Sequence, residues 1–125
     1  MFEQIDPRSP TPLYAQIADR IKGAVAAGDL KAAQALPSVR QLAARLRVNP
    51  ATVVQAYREL ESDGFVEMRQ GAGTFVKDLA SERRARERAS QALKLVRELV
   101  TDAGRLGIST DELRAAISRE LEVKV

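Results

Sequence analysis

The sequence lacks three residue types that supply much of protein chemistry. Among its 125 residues there is no cysteine, no histidine and no tryptophan. Without cysteine the chain can form no disulfide and offers no thiolate to a metal, which suits a reducing compartment. Without histidine, zinc sites built on imidazole and acid–base catalysis by imidazole are excluded. The absences therefore remove the commonest metal and catalytic chemistries.

Long hydrophobic runs are missing as well. No stretch approaches the roughly 18 consecutive apolar residues of a membrane span. The first ten residues, MFEQIDPRSP, contain acids and no apolar core of signal-peptide length. We therefore expect a soluble, cytoplasmic protein with no membrane partner. At this length the chain holds one domain, or a small domain plus an appendage with a modest core, so oligomerisation is expected.

Acidic residues are absent from one internal stretch. The net charge of +3 is weak information, because residues 1–78 hold ten basic and nine acidic residues, and residues 79–125 hold ten and eight. Residues 30–58, here called the acid-free span, contain no acid at all. Its basic residues are Lys31, Arg40, Arg45, Arg47 and Arg58. A surface that faces a polyanion requires such a charge pattern.

The acid-free span contains two short helical patterns. Ser38 and Gln41 form a capping box that predicts the start of the first helix. Asn49 and Pro50 predict the start of the second. Each helix has apolar residues at i, i+3, i+4 and i+7, namely Val39, Leu42, Ala43 and Leu46, then Val53, Ala56, Tyr57 and Leu60. Two helices joined by about three to four residues are a helix-turn-helix, whose second helix can lie in the DNA major groove.

Further elements are predicted on both sides of this pair. A helix beginning at Thr11 and Pro12 and ending at Gly28 has a row of core residues, Leu13, Ile17, Ile21 and Val25. Gly64 predicts the end of the second helix of the pair. Residues 66–69 and 74–76 predict a hairpin with a turn at 70–73. Most of this hairpin fits a strand pair that closes the core, whereas its glycine-rich tip fits a minor groove.

The C-terminal region predicts two more helices. Ser81 is expected to cap a helix through Ala103 or beyond, with a heptad seam at Ala85, Ala89, Ala92, Val96, Leu99, Ala103 and Leu106. Its basic cluster, Arg83, Arg84, Arg86 and Arg88, fits a solvated face better than a second DNA surface. Gly107 predicts the helix end, and Ser109 with Glu112 predicts a cap for a final helix. Because these helices cannot bury their apolar faces alone, we expect a homodimer.

Three motifs at their expected separations carry a family resemblance. LPSVR, NPATV and GAGTFV resemble the N-terminal winged helix-turn-helix of the GntR family of bacterial transcription regulators, over about residues 8–77. The resemblance implies a mainly α fold with a small β-hairpin, a DNA operator as partner, and a regulator that is not an enzyme and needs no cofactor. It predicts a winged domain at residues 1–78 and a two-helix dimerisation domain at residues 79–125.

The resemblance also assigns DNA contacts residue by residue. In the family, the arginine of LPSxR, the residues that open the recognition helix and the wing-tip glycine contact DNA. They correspond here to Arg40, Asn49, Pro50, Ala51, Thr52, Gln55, Gln70 and Gly71. The residue patterns add Ser38, Arg47, Arg58, Arg69 and Gly73 to the predicted contacts. Ala33 replaces a usual glycine, and Pro50 with Ala51 stands where an arginine often reads a base, which leaves the operator sequence open.

The C-terminal region, with its LGISTDEL motif, resembles that of the YtrA-type members of the family. The resemblance implies a homodimeric repressor of an inverted-repeat operator, often next to an ABC transporter operon, and leaves any effector unknown. The predicted dimerisation residues are Ala89, Ala92, Leu93, Val96, Leu99, Val100, Leu113 and Ile117.

Two other classes of protein share parts of this pattern. The same winged domain occurs fused to an aminotransferase-like domain that uses pyridoxal phosphate, but the tail here has far too few residues to enclose that cofactor. A protein-interaction module that keeps the fold without DNA binding is the second alternative, because fold alone does not determine function. The acid-free span argues against it, and a steep loss of duplex affinity with salt would discriminate the two.

Overall fold

The structure is a computed structural model that describes residues 5–123. The expectation drawn from the first ten residues therefore falls partly outside the described chain. The elements are α1 (Leu13–Ala27), α2 (Val39–Leu46), α3 (Pro50–Ser62), β1 (Val66–Arg69), β2 (Gly73–Val76), α4 (Ser81–Arg105) and α5 (Thr110–Val123). The chain divides into two compact units between Arg88 and Ala89.

The core of the N-terminal unit combines the helical rows that the sequence predicts. Helix α3 contributes Val53, Ala56, Tyr57 and Leu60, which are all buried. Helix α2 contributes Leu42 and Ala43, and its outer positions Val39 and Leu46 are partly buried against the same core. Helix α1 contributes Ile17, Ile21 and Val25. The predicted core faces of α2 and α3 are thus confirmed, and so is that of α1 except at Leu13, which is only partly buried and lies outside this core.

The helix ends also follow the predicted signals. The Ser38 and Gln41 side chains form the reciprocal capping box at the start of α2. Asn49 caps α3 through a 2.9 Å hydrogen bond that its Oδ1 accepts from the Ala51 N–H. Gly64 adopts a φ of +81°, and the Phe65 N–H donates to the Leu60 carbonyl at 2.9 Å. This pair of features is a Schellman motif, in which glycine ends the helix at low steric cost.

The wing, which is the β1–β2 hairpin, gains a third strand-like segment that the sequence pattern did not predict. In the hairpin, Val66 pairs with Val76 and Arg69 with Gly73, so Gly73 begins β2 rather than lying in the turn. Ala35 bridges Phe75 on the other edge of β2. Hydrogen bonds from the Leu36 N–H to Thr74 at 2.8 Å and from the Ala33 N–H to Val76 at 2.7 Å extend this pairing. The chain just before α2 is therefore fastened to the wing.

The C-terminal elements largely match their predicted bounds. The Arg84 N–H donates to the Ala80 carbonyl at 3.1 Å, so Ala80 is the cap and Ser81 is the first helical residue; the predicted Ser81 cap was wrong by one position. Gly107 ends α4 with a φ of +74°. The predicted Ser109–Glu112 capping box is present. Its hydrogen bonds lower the pKa of the Glu112 carboxyl.

Within residues 5–123, no helix combines the length and the apolar character that crossing a membrane would need. The N-terminal compact unit runs through Arg88, past the predicted domain boundary at residue 78. That boundary stays a prediction. In the other unit, Ala103 is the one residue of α4 that is buried, and the predicted dimerisation residues Leu93, Val96, Leu99 and Val100 are exposed.

Candidate nucleic-acid interface

The outer faces of α2 and α3 carry unopposed positive charge. Arg40, Arg45, Arg47 and Arg58 are all exposed. Within the described part of the chain, the side chains of Arg40, Arg47 and Arg58 have no hydrogen-bond or ion-pair partner. Guanidinium groups in this state can form new charge-assisted hydrogen bonds without breaking old ones. The acid-free span is thus folded into an exposed cationic surface.

The start of α2 is held in place from two directions. The Gln41 N–H donates to Ser38 Oγ at 3.1 Å, and the Ser38 N–H donates to Gln41 Oε1 at 3.0 Å. The hydroxyl of Tyr57, which lies in α3, donates to the Pro37 carbonyl at 2.7 Å. Arg40 lies in the first turn of α2 and so projects from a backbone that both contacts fix. Such preorganisation reduces the entropy lost when an exposed arginine binds a ligand.

The hydroxyl of Tyr57 was not predicted to take part in this site. The sequence pattern identified Tyr57 only as a core residue of α3. A signal for the second role existed, because a buried tyrosine hydroxyl usually finds a hydrogen-bond partner. The identity of that partner depends on a contact across 20 residues of sequence, which periodicity does not reveal.

Burial raises the pKa of Tyr57 to about 12, and the nearby Arg45 charge lowers it in part. The folded state therefore holds the neutral phenol more strongly than the unfolded chain, whose tyrosine ionises near pH 10. The stability from this group is present below about pH 10 and is lost as the pH rises toward 12. Over that range we expect the free energy of unfolding of the wild type to fall by about 2–3 kcal/mol because of this group alone.

The Tyr57→Phe variant should remove this alkaline loss. At neutral pH it should be less stable by about 0.5–1.5 kcal/mol, because the hydrogen bond to Pro37 is absent. Urea unfolding of the wild type and the variant, measured at each pH from 8 to about 12, checks both effects. The difference between the two proteins at each pH isolates Tyr57 from the lysines that titrate in the same range. Tyr14→Phe is the matched control, since Tyr14 and Tyr57 are the two tyrosines of the chain. Equal alkaline loss in wild type and Tyr57→Phe would contradict the assignment.

The first turns of α3 present small groups before longer ones. Ala51, Gln55 and Arg58 are exposed and spaced by four and three residues, so they share one face. Thr52 is half-buried. Asn49 Oδ1 is occupied by its cap hydrogen bond, which leaves the amide N–H₂ as that side chain's free donor. Gln55 and Arg58 are consequently the long, exposed hydrogen-bonding side chains of this face.

The turn between α2 and α3 contains an unusual backbone conformation. Arg47 adopts a φ of +57°, and the Val48 N–H donates to the Ala43 carbonyl at 3.0 Å. This is a Schellman motif with arginine in the position that glycine usually takes. A non-glycine residue in the left-handed region costs of order 1 kcal/mol. The strained turn places Arg47, which is exposed, in the chain between the two helices.

The tip of the wing combines a tight turn with a stacked arginine. Gly71 has a φ of +77°, and the Ala72 N–H donates to the Arg69 carbonyl at 3.0 Å, as in a turn that favours glycine at its third residue. The Arg69 guanidinium lies 4.4 Å from the Phe75 ring centroid and 3.5 Å from the Glu67 carboxylate. Arg69 is thus held against the wing, while Gln70 and Gly71 are exposed at its tip.

The first turns of α4 differ from the prediction of a solvated basic face. Arg83 donates through Nη2 to the backbone carbonyl of Asp63, and Arg88 Nη1 donates to the carbonyl of Ala26 at 2.8 Å. The predicted solvated face was wrong for Arg83, which is half-buried, whereas Arg88 is exposed as predicted although one of its nitrogens is hydrogen-bonded. Arg86 is exposed, as predicted. Helix periodicity describes only the helix that carries these arginines. It therefore does not reveal hydrogen bonds to carbonyl groups at the ends of distant helices.

The fold has three packed helices, of which α2 and α3 form a pair with a cationic outer face, and a hairpin adjoins this pair. This arrangement defines a winged helix-turn-helix protein. The family model described as "Bacterial regulatory proteins, gntR family" matches residues 13–76. The chain therefore belongs to the GntR family.

Individual relatives and structures agree with this family. The chain is 37% identical to the HTH-type transcriptional repressor YtrA of Bacillus subtilis (strain 168) over 110 residues, which are 88% of this chain and 85% of that protein. A GntR family transcriptional regulator from Listeria monocytogenes superposes with a TM-score of 0.69 at 29% identity, covering 91% of this chain and 97% of that one. YtrA from Sulfolobus acidocaldarius, a GntR-family transcription factor, has a TM-score of 0.59 at 39% identity, covering 75% and 99%.

The predicted resemblance and fold class are confirmed by these comparisons. The chain is a regulatory protein with a winged helix-turn-helix DNA-binding domain, and it is not an enzyme. The individual DNA contacts and the dimerisation residues stay predictions.

Proposed function

We propose that the chain is a homodimeric transcriptional repressor that binds an inverted-repeat operator. The observation that carries the proposal is the folding of the acid-free span onto one exposed surface, with three arginines that lack partners among the described residues. A protein-interaction module would have no need for such a surface. Repression is proposed from the name of the Bacillus relative, and membership of a family of transcription regulators supports a cytoplasmic location.

The exposed groups divide into base readers and phosphate contacts. Arg40 and Thr52 would fix or read the half-site, and Gln55 suits an adenine, since glutamine can bind its N6 and N7 atoms together. Arg45, Arg47 and Arg58 would bind phosphates and set the register. The exposed residues Gln70 and Gly71 would enter the minor groove, where the bare glycine backbone allows close approach.

Dimerisation would use the exposed apolar seam of α4. Leu93 is 50% exposed, Val96 49%, Leu99 42% and Val100 55%, so a continuous apolar face lies open. Its heptad spacing suits a second copy of the same helix. A two-fold pair would present two recognition helices about 34 Å apart, one turn of B-DNA, which requires an inverted repeat. The YtrA-type resemblance favours an operon for an ABC transporter as the target.

Selection of bound duplexes from a random pool tests this function directly. We expect an enriched site with two inverted half-sites whose centres lie about 10 base pairs, or a multiple, apart. Affinity for this site should fall steeply between 50 and 200 mM salt, because each neutralised phosphate releases counterions. Enrichment of no motif, together with a monomeric mass in solution, would refute the proposal.

A further inference from the structure

We propose that a groove beside the end of α2 binds a small amphipathic carboxylate, and that this ligand competes with DNA for two arginines. The groove, here called the α2 groove, has a volume of about 270 Å³. It is lined by Ile5, Pro7, Leu13, Arg45, Leu46, Arg47 and Val48. Binding of the ligand follows from this geometry alone, whereas the competition also rests on the proposed function.

One wall of the α2 groove is a segment before α1 that hydrogen bonds hold in place. The Oε1 atom of Gln16, in α1, accepts a 2.8 Å hydrogen bond from the Asp6 N–H. The Nε2 atom of Gln16 donates to the carbonyls of Asp6 at 2.9 Å and Thr11 at 2.8 Å. Because Asp6 lies between Ile5 and Pro7 in the chain, these contacts fix the backbone of both lining residues. The groove is therefore preformed, as ligand sites usually are.

The interior of the α2 groove is apolar and incompletely covered by the fold. Leu13 belongs to the predicted core row of α1, yet it is only partly buried and lies outside the core of the N-terminal unit. Ile5, Leu46 and Val48 pack against that core but are also only partly buried. Partly exposed apolar side chains around a concave surface are typical of small-molecule sites. The interior thus suits a hydrocarbon chain.

The rim of the α2 groove is cationic. Arg45 and Arg47 are exposed, and neither side chain forms a salt bridge or hydrogen bond within residues 5–123. No acidic residue is among the described residues that line the groove. The carboxylate of Asp6, which precedes Pro7, accepts a 2.9 Å hydrogen bond from the Arg8 N–H. Because guanidinium groups bind carboxylates through charge-assisted, often bidentate hydrogen bonds, the ligand is a carboxylate with an apolar tail.

The volume of the α2 groove limits the length of that tail. A volume of about 270 Å³ equals the share of roughly nine water molecules at about 30 Å³ each. A straight-chain carboxylate of roughly eight carbon atoms has about ten non-hydrogen atoms, which is close to that number. Octanoate is therefore a suitable probe of the groove.

Binding of a carboxylate in the α2 groove would oppose binding of DNA. In the proposed function, Arg45 and Arg47 bind phosphates. A guanidinium that holds the ligand cannot form the same bidentate hydrogen bonds to a phosphate. The negative charge of the ligand also lowers the positive potential of the surface. The ligand would thus act as an inducer, which releases the operator.

Titration of the isotope-labelled full chain with octanoate, followed by NMR, tests ligand binding. We expect saturable shifts centred on the amides of Leu13, Leu46 and Val48, with a dissociation constant of about 1 mM or lower. Octylammonium has the same tail and the opposite charge, so it should bind at least about tenfold more weakly. Butyrate lacks four methylene groups and should bind about 100-fold more weakly. Absence of saturable shifts, or equal binding of octylammonium, would overturn the proposal.

Variants locate the bound carboxylate. Arg45→Gln combined with Arg47→Gln should weaken octanoate binding by about tenfold or more, because charge-assisted hydrogen bonds are lost. Arg86→Gln combined with Arg114→Gln is the matched control, since both arginines are exposed and the same charge is removed. Leu13→Phe should also weaken binding, because the larger side chain occupies the groove. If that variant does not fold, the exposed arginines decide alone, and unchanged octanoate affinity in their double variant refutes the site.

Operator titration in the presence of octanoate tests the competition. Sodium chloride holds the ionic strength constant, because DNA affinity depends on salt. At ten times its dissociation constant, octanoate should reduce the affinity of the wild type for a single half-site by about tenfold, and octylammonium at the same concentration should not. Octanoate that binds without lowering this affinity would overturn the inducer role. If the wild type binds no duplex, the proposed function fails, while the NMR titration still decides whether the groove binds a carboxylate.

Discussion

Replacing Arg40 by alanine should abolish operator-specific binding and leave the fold and the dimer intact. Arg40 is exposed and has no partner among the described residues, so its truncation breaks no internal contact. Removing a base-reading arginine costs about 1–3 kcal/mol per half-site. For a two-fold operator the loss doubles to roughly 2–6 kcal/mol, which reduces affinity by about 30-fold to 10⁴-fold. Gel-shift titration against operator and scrambled duplexes measures this loss of affinity.

Two further variants separate base reading from simple charge. Arg40→Lys keeps the positive charge but not the bidentate geometry, so it should retain binding to scrambled duplex and lose the preference for operator. Arg114→Ala is the control for loss of an exposed arginine elsewhere, since Arg114 pairs with Asp111 at 3.2 Å on α5. Wild-type affinity of Arg40→Ala for the operator would remove this residue from the interface.

The Val96→Glu variant should convert the dimer to a monomer and weaken operator binding by about 100-fold or more. Val96 is 49% exposed in the single chain, so a glutamate there is tolerated by the isolated fold. In the proposed seam the same carboxylate would be buried without a partner, which strongly opposes association. Loss of the second subunit then removes the avidity of two linked half-sites, worth about 10²–10⁴ in affinity.

Thr101→Glu is the matched control for this variant. Thr101 lies on the same exposed helix and five residues from Val96, so it faces away from the seam at 100° per residue. Sedimentation velocity should give a dimer for wild type and Thr101→Glu and a monomer for Val96→Glu. A dimeric Val96→Glu protein would place the subunit interface on another surface.

The elements that the sequence predicted well are those specified locally. The Ser38–Gln41 capping box, the Asn49–Pro50 helix start and the Gly64 helix end each lie within a few residues of the backbone groups that they satisfy. The core faces follow from periodicity, which is also a local property. These features were enough to predict the helix pair and the hairpin.

The features that sequence reasoning missed depend on contacts between distant residues. The pairing of Ala35 with Phe75 adds a strand-like segment that contains no strong β pattern. The hydrogen bonds of Arg83 and Arg88 end on backbone carbonyls, and every residue carries a carbonyl, so no residue type marks the acceptor. The assignment of a charged cluster to solvent or to a neighbour therefore requires the fold.

The left-handed conformation of Arg47 sets the stability of the fold against the proposed affinity for DNA. At a φ of +57°, glycine would relieve strain and lengthen the lifetime of the folded state, but it would delete a cation at the entrance to the recognition helix. A sequence optimised for robustness alone would choose glycine there. With the phosphate contact proposed for Arg47, arginine at this position lowers the stability of the fold and raises the affinity for DNA.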